Sequence, residues 1–212
     1  LEQIMGCGFK IFSTHGFSSD NGPTNYLLLS PPPAADVPGF AVAFDKMTET
    51  APILEKVYAA DRSLKLQADI AFETLARWEE DPASISVFGL TVVFEQLVLQ
   101  AREPFRRRRA PIRMITGGGW KGLTQNLSRS AIVLGLQRLF PEAPVLVKNI
   151  YGMNEHPLHY LSCPAEHFHL PKYSRFAIMG AQGQVLPPGE LGLIRLKNPL
   201  FRSVPTYDLL TE

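Results

Sequence analysis

Cysteine is almost missing from this sequence: Cys7 and Cys163 are the only two in 212 residues. That is too few for a disulfide framework and fits a reducing compartment, so a cytoplasmic location is expected. Long apolar runs are missing as well. No stretch approaches the ~20 residues that a membrane-spanning helix needs. The opening Leu1-Glu2-Gln3 has neither an initiator Met nor a signal-peptide pattern, and no closing element follows Tyr207-Asp208-Leu209-Leu210-Thr211-Glu212; an internal fragment of a longer protein is expected. Net charge is nearly absent, with 21 Lys and Arg against 20 Asp and Glu. No global field therefore favours nucleic acid or a membrane surface, and neither is expected as a partner. Low-complexity tracts and internal repeats are missing too, and at 45% hydrophobic residues disorder is excluded.

What is present is ordinary globular material, rich in Phe (13 of them) and long enough for one large domain or two small ones. The single concentration of charge is Arg106-Arg107-Arg108-Arg109. It reads as a solvated loop between two elements in preference to a patch for an acidic partner. Short apolar runs alternate with longer amphipathic segments. Tyr26–Ser30 predicts a buried strand stopped by Pro31-Pro32-Pro33. Helical spacing over 66–80 predicts a helix ended by Asp81-Pro82. Further strands are expected at Ile85–Phe88, Pro111–Thr116 and Val145–Val147, with helices over roughly 90–101 and 122–140. Such alternation with short Gly connections is the pattern of right-handed βαβ units. The tail differs: Phe176–Met179, a Gly-Ala-Gln-Gly turn and Leu193–Leu196 read as antiparallel strands. The fold class is α/β, a mostly parallel sheet with flanking helices, followed by a β-rich antiparallel segment. The expected division is an α/β nucleotide- and acyl-binding subdomain at 1–150 and a β-rich subdomain at 151–212.

Ligands of an open parallel sheet bind beyond the carboxyl ends of its strands, and three segments fall there. Thr116-Gly117-Gly118-Gly119-Trp120-Lys121-Gly122 follows a strand directly. Three adjacent glycines suit a backbone that must approach a base or phosphate closely, more than a plain turn requires. Tyr151-Gly152-Met153-Asn154-Glu155 also follows a strand and offers a flat aromatic face, an amide and a carboxylate able to hold Mg²⁺. The third is a cluster in which His156, His159, Cys163, His167 and His169 lie within fourteen positions. These are zinc's preferred ligand types, and in an extended strand His167 and His169 share a face. The spacing matches no standard finger, however, and ordinary polar packing beside the preceding loop is the reading favoured over zinc.

The run at 151–155 is similar to the Tyr-Gly-Met-Thr-Glu signature of the acyl-adenylating superfamily. The Gly-Gly-Gly-Trp-Lys-Gly run resembles that superfamily's adenine-binding glycine loop, in the form seen in LuxE-type acyl-protein synthetases. Leu27–Pro31, Phe88-Gly89, Phe168-His169-Leu170-Pro171, Leu186–Gly192 and Asn198-Pro199-Leu200 match in the same order. The resemblance thus covers nearly the whole chain and is more specific over 111–212 than over 1–80. It implies part of the large N-terminal domain of an enzyme that activates a fatty acid with ATP and Mg²⁺ and passes the acyl group to a thiol. Carried over by position, Gly117, Gly118, Gly119 and Gly152 would line the nucleotide pocket and Tyr151 would stack on adenine. Asn154 would contact phosphate, Glu155 would hold Mg²⁺, and Phe88, Gly89 and Trp120 would border the acyl group.

Two departures stand out. Asn154 replaces the usual Thr, and no Ser/Thr/Gly-rich phosphate loop is found; Ser13-Thr14-His15-Gly16 is the nearest stretch and reads as a plain connection. Asp208 falls at the wrong place for the ribose-binding Asp. The fragment alone is therefore expected to be inactive, even if its parent is an enzyme. A coenzyme A ligase of the phenylacetate type, a non-catalytic nucleotide-binding domain and a zinc-stabilised module are the rival readings. The thiol acceptor, a protein Cys or coenzyme A, is left open, and Cys163 itself is disfavoured as acceptor.

Overall fold

A strand buried along its entire length needs neighbours on both edges and helices on both faces. Thr24–Leu29 (β1), with Leu27, Leu28 and Leu29 wholly inaccessible, is such a strand. The computed structural model describes residues 22–34, 36, 38–106, 111–153, 156–163, 165–170, 174–197 and 206–209, the last segment and 50, 153 and 156–158 as backbone alone. Around β1 lie Ile53–Tyr58 (β2), Ser84–Leu90 (β3), Ile112–Gly117 (β4), Val145–Met153 (β5) and His156–Leu161 (β6). Their order across the sheet is β2-β1-β3-β4-β5-β6. The first five strands run parallel, and β6 turns back antiparallel on β5.

Helices fill each parallel crossover: Gly39–Met47 (α1), Ala68–Arg77 (α2), Thr91–Gln100 (α3) and Arg129–Leu139 (α4). The strand at Ile53–Tyr58 and the helix at Gly39–Met47 were not read from the sequence, because Pro, Gly and charge break the periodicity there. The helix expected over 122–140 is shorter at its start. Gly122 holds a φ of 77°, and the Ser128 hydroxyl accepts the Ala131 N–H as N-cap, so the helix opens only at Arg129. Of the arginine run, Arg106 lies exposed and its N–H donates to Glu79 (2.7 Å). Arg107, Arg108 and Arg109 lie outside the described residues.

The core is one continuous cluster under both faces of the sheet. Aromatics carry much of it. Phe88 packs on Tyr26 and Phe44 (ring centroids 5.7 and 6.4 Å), and Phe105 stacks between Phe72 and Phe140. Each such side chain, once buried, contributes roughly 1.5–3 kcal/mol. Trp78 is buried to 2% exposure and satisfies its indole N–H on Glu55 (2.7 Å).

The chain beyond 150 first supplies the end of β5 and β6 to this sheet. Arg175–Met179 (β7), Leu193–Lys197 (β8) and Thr206–Leu209 (β9) then form a separate antiparallel sheet. It rests on the large sheet through a small cluster in which Tyr160 and Leu196 are buried against Tyr151 and Ile194. The Tyr160 hydroxyl meets Ser174 Oγ (3.0 Å), which donates to the Lys197 carbonyl (3.3 Å). Among the described residues, no helix is long and apolar enough to cross a membrane.

Candidate active site

With a strand order of 2-1-3-4-5, the chain leaves β1 toward one edge and returns to the other side of it. The strands flanking that switch, β1 and β3, stay paired up to Leu29 and Gly89. Ligands of such sheets bind in the crevice beyond the carboxyl ends of the strands, where the connections diverge. Leu29, Gly89 and Thr116 stand in one row across β1, β3 and β4, followed by Leu90, Gly117 and Ile150 in the next. The glycine run therefore leaves the sheet at the end of β4, one strand from the switch point. Because Gly117 pairs with Ile150, Tyr151 sits one residue further along the neighbouring strand.

The glycines there divide by physical role. A Cβ on Gly89 would stand 2.6 Å from Leu29 Cβ, and one on Gly117 would stand 2.5 Å from Ile150 Cγ2; both positions permit close strand packing. Gly118 and Gly119 instead adopt left-handed backbone, with φ of 65° and 59°. Gly118 is also hemmed in by Leu90 and Lys121, whereas Gly119 opens onto free space. Gly118 is exposed and Gly119 half-buried, so the backbone of this turn is open to a ligand at the carboxyl ends of the strands. Gly152 is again a packing glycine, its Cα face covered by the His159 imidazole.

Tyr151 is half-buried, its ring 5.9 Å from Phe168 and 6.3 Å from Tyr160. It thus belongs to an aromatic group at the end of β5, beside the glycine loop. Phe88 is buried to 1% exposure as a core side chain, one residue short of Gly89. Trp120 is half-buried and packs on the main core from the loop. Asn154 and Glu155, expected to contact phosphate and Mg²⁺, lie outside the described residues, as do Ser13-Thr14-His15-Gly16 and Asn198-Pro199-Leu200.

The His/Cys segment forms a tight hairpin. Ser162 bridges Phe168, the Cys163 N–H donates to the His167 carbonyl (2.9 Å), and Glu166 turns the chain with a φ of 60°. The His169 side chain, with backbone N–H groups of His167 and Ala165, holds the Cys163 thiol below its ordinary pKa. Among the described residues, no group of three or more His, Cys, Asp or Glu is placed to hold a metal ion. The zinc alternative at His156, His159, Cys163, His167 and His169 therefore receives no support; His156 is described by its backbone alone.

Three residues at the site were not anticipated. Thr91 Oγ1 donates to the Gly117 carbonyl (3.3 Å). Glu95, 2% exposed, accepts the N–H groups of Asn126 (2.8 Å) and Leu127 (2.5 Å). Burial alone would raise its pKa, but those N–H donors, with the Trp120 indole and the Asn126 amide, outweigh it and hold the carboxyl below the usual range. The Trp120 indole N–H acts on that carboxylate without full hydrogen-bond geometry. Arg129, at the start of α4, donates to Thr116 Oγ1 (2.7 Å) and pairs with Glu166, so it ties β4 to the hairpin. A charged residue amid the apolar stretch Val92-Val93-Phe94-Glu95 was the available signal for the second of these.

No family model matches the chain, and no curated protein matches it in sequence. Solved structures do match. The amide bond synthetase McbA from Marinactinospora thermotolerans aligns over 93% of this chain and 36% of its own, with a TM-score of 0.58 at 17% identity. A benzoate CoA ligase from Burkholderia xenovorans LB400 aligns over 93% and 37%, with a TM-score of 0.59 at 12% identity. The anthranilate CoA ligase AuaEII, in complex with anthranoyl-AMP, aligns over 97% and 36%, with a TM-score of 0.56 at 9% identity. The fold is the one this chain shares with part of each of these proteins. This chain spans little more than a third of those three proteins.

Proposed function

We propose that this chain is part of an ATP-dependent, AMP-forming ligase that activates a carboxylic acid as its acyl-adenylate. The observation that carries the reading is the juxtaposition of the Gly117-Gly118-Gly119 loop and Tyr151 on adjacent strand ends beyond the β1/β3 switch point. The structural likeness to ligases, one of them crystallised with an acyl-AMP, supports it. Adenine stacks on Tyr151, and the left-handed Gly118-Gly119 backbone lets it approach the loop. A carboxylate oxygen of the acid attacks the α-phosphorus of ATP, forming the acyl–phosphate bond as the bond to pyrophosphate breaks. Glu155 would hold Mg²⁺, which would supply charge neutralisation at phosphate, and Asn154 would contact phosphate. The rest of the catalysis is positioning and electrostatics.

A thiol then attacks the acyl carbonyl and AMP leaves. Gly89 and Trp120, with Phe88 behind them, border the acyl side of the crevice. A fatty acid and a protein thiol are the finer reading, supported by the LuxE-like form of the Gly-Gly-Gly-Trp-Lys-Gly run. Transfer to coenzyme A is favoured by a different observation, the presence of two CoA ligases among the similar structures.

Calorimetric titration with AMP and with ATP–Mg²⁺ tests the nucleotide site. AMP is expected to bind with a Kd of about 1 mM or tighter, about −4 kcal/mol. Stacking on an aromatic contributes roughly 1–3 kcal/mol per base, so Tyr151→Ala should weaken AMP by about 5- to 150-fold and leave the acid largely unaffected. In the full-length parent, Glu155→Gln should lower Mg²⁺-dependent adenylation by orders of magnitude with the fold intact. Equal weakening of nucleotide and acid by Tyr151→Ala, or full activity in Glu155→Gln, would sink the assignment.

A further inference from the structure

The helix α3 is buried almost all round, with Val92, Val93, Phe94 and Leu97 in the core. Two other buried members of that helix are polar, Thr91 and Glu95, four residues apart and so on one face. Both face the β4–α4 connection, and they hold its two ends. Thr91 Oγ1 takes the Gly117 carbonyl at the point where the glycine run leaves the sheet. Glu95 takes the N–H groups of Asn126 and Leu127, and more loosely the Asn126 side-chain amide (3.4 Å), where the chain turns into α4. The Trp120 indole, from the middle of the connection, also acts on the Glu95 carboxylate. Gln96 faces elsewhere, holding Leu64 and Leu66 of another loop, so the division of labour along the helix is specific.

A buried carboxylate is retained only if its environment replaces the lost water. Two backbone N–H donors and the nearby start of α4, whose first turn carries partial positive charge, do so here. Asn126 is exposed and Leu127 half-buried, so it is the buried Glu95 carboxylate that depends on these donors, and it fixes the otherwise open end of the connection.

From this geometry we infer that Thr91 and Glu95 are positioning residues. They clamp the ends of the 117–128 connection on α3 and thereby preset the left-handed Gly118-Gly119 turn that receives the ligand. The inference rests on the nucleotide-site reading for what the loop receives, but not for how the loop is held. In a preset loop, little ordering remains to be done on binding. Loss of the clamp should therefore weaken the ligand without unsettling the sheet.

The test uses the whole chain as wild type, Glu95→Gln, Glu95→Ala and Thr91→Val, with amide hydrogen exchange read by segment and AMP titrated as probe. Glu95→Ala is expected to exchange at least tenfold faster over 118–128, with β1 and β3 unchanged. Glu95→Gln keeps one acceptor oxygen and should fall between Ala and wild type. AMP affinity should drop in the same order. Should Glu95→Ala fail to fold, Glu95→Gln and Thr91→Val decide by the same criterion. Unchanged exchange over 118–128 in the folded variants would overturn the clamp. Faster exchange with unchanged AMP affinity would overturn its role in binding and move the nucleotide away from the loop. If wild type binds no AMP, the nucleotide reading falls, while the exchange pattern still supports or overturns the clamp.

Discussion

Glu95 shows how a single residue links stability to protonation. Its carboxyl is held below the ordinary range in the folded chain, because the Asn126 and Leu127 N–H groups favour the charged form more than burial disfavours it. A depressed folded pKa contributes stability that is fully present above the unfolded value and is lost as pH falls through the folded one. The expected result is a urea midpoint that declines below about pH 4.3, the ordinary Glu value, by more in wild type than in Glu95→Gln. The variant starts lower at pH 7 and converges on wild type in acid. Parallel pH curves for the two proteins would show that the carboxylate's charge does not contribute. At the same scale, Phe88 and Gly89 illustrate how neighbouring positions on one strand divide between core and site. The phenylalanine is buried against Tyr26 and Phe44, while the glycine lets β1 and β3 approach at the crevice.

Among the elements, α4 depends most visibly on its first turn. Its N-cap Ser128 bonds to the Ala131 N–H (3.2 Å), and Arg129 ties that turn to Thr116 and Glu166. Ser128→Ala should cost about 1 kcal/mol of global stability, the usual loss for a Ser cap, read as a shift in the denaturant midpoint at constant m-value. A shift below 0.3 kcal/mol would mean that Glu95, just upstream, already fixes the helix start. This start was also where sequence reading fell short. Helical spacing over 122–140 gave no hint that Asn126 and Leu127 are drawn off by a carboxylate thirty residues away, since that bond is tertiary. Central strands read well, because β1, β3 and β4 are buried on both faces and their apolar runs are continuous. The edge strand β2 did not, being half-exposed and charged at Glu55 and Lys56. At the site, Gly117–Gly119 and Tyr151 stood out because their residue types are unusual after a strand. Thr91 and Arg129 carried no such mark, and their role lies in which carbonyl or hydroxyl they reach.

For the molecule as a whole, the two sheets differ in how firmly they are held. The strands β1, β3 and β4 contribute Leu27, Leu28, Leu29, Ile85, Val87, Ile112, Met114 and Ile115 to the core at essentially zero exposure. The small sheet leaves Phe176 at 52% and, in the turn and loop between β7 and β8, Val185 at 62% and Leu191 at 76%. Regions with few buried apolar contacts open at lower free energy than the core. Native-state hydrogen exchange across a denaturant series should therefore show β7 and β8 opening in a sub-global step, before β1, β3 and β4 exchange by complete unfolding. The proposed nucleotide site straddles the difference: its glycine loop is anchored to α3 and the large sheet, whereas Tyr151 packs on Tyr160 and Phe168 toward the small one. A ligand that touches both sides stabilises the closed form against any opening that would separate them by RT ln(1 + [L]/Kd), about 2.7 kcal/mol at a hundredfold excess over Kd. Saturating AMP is thus expected to raise the free energy of the β7–β8 opening by about that amount, if the opening also disturbs the Tyr151–Tyr160–Leu196 contacts. One isotherm for all strands without ligand would show that the sheets unfold together. Two isotherms with no response of the weaker one to bound AMP would show that the nucleotide does not bridge the two sheets and is held by the large sheet, which includes Tyr151 of β5.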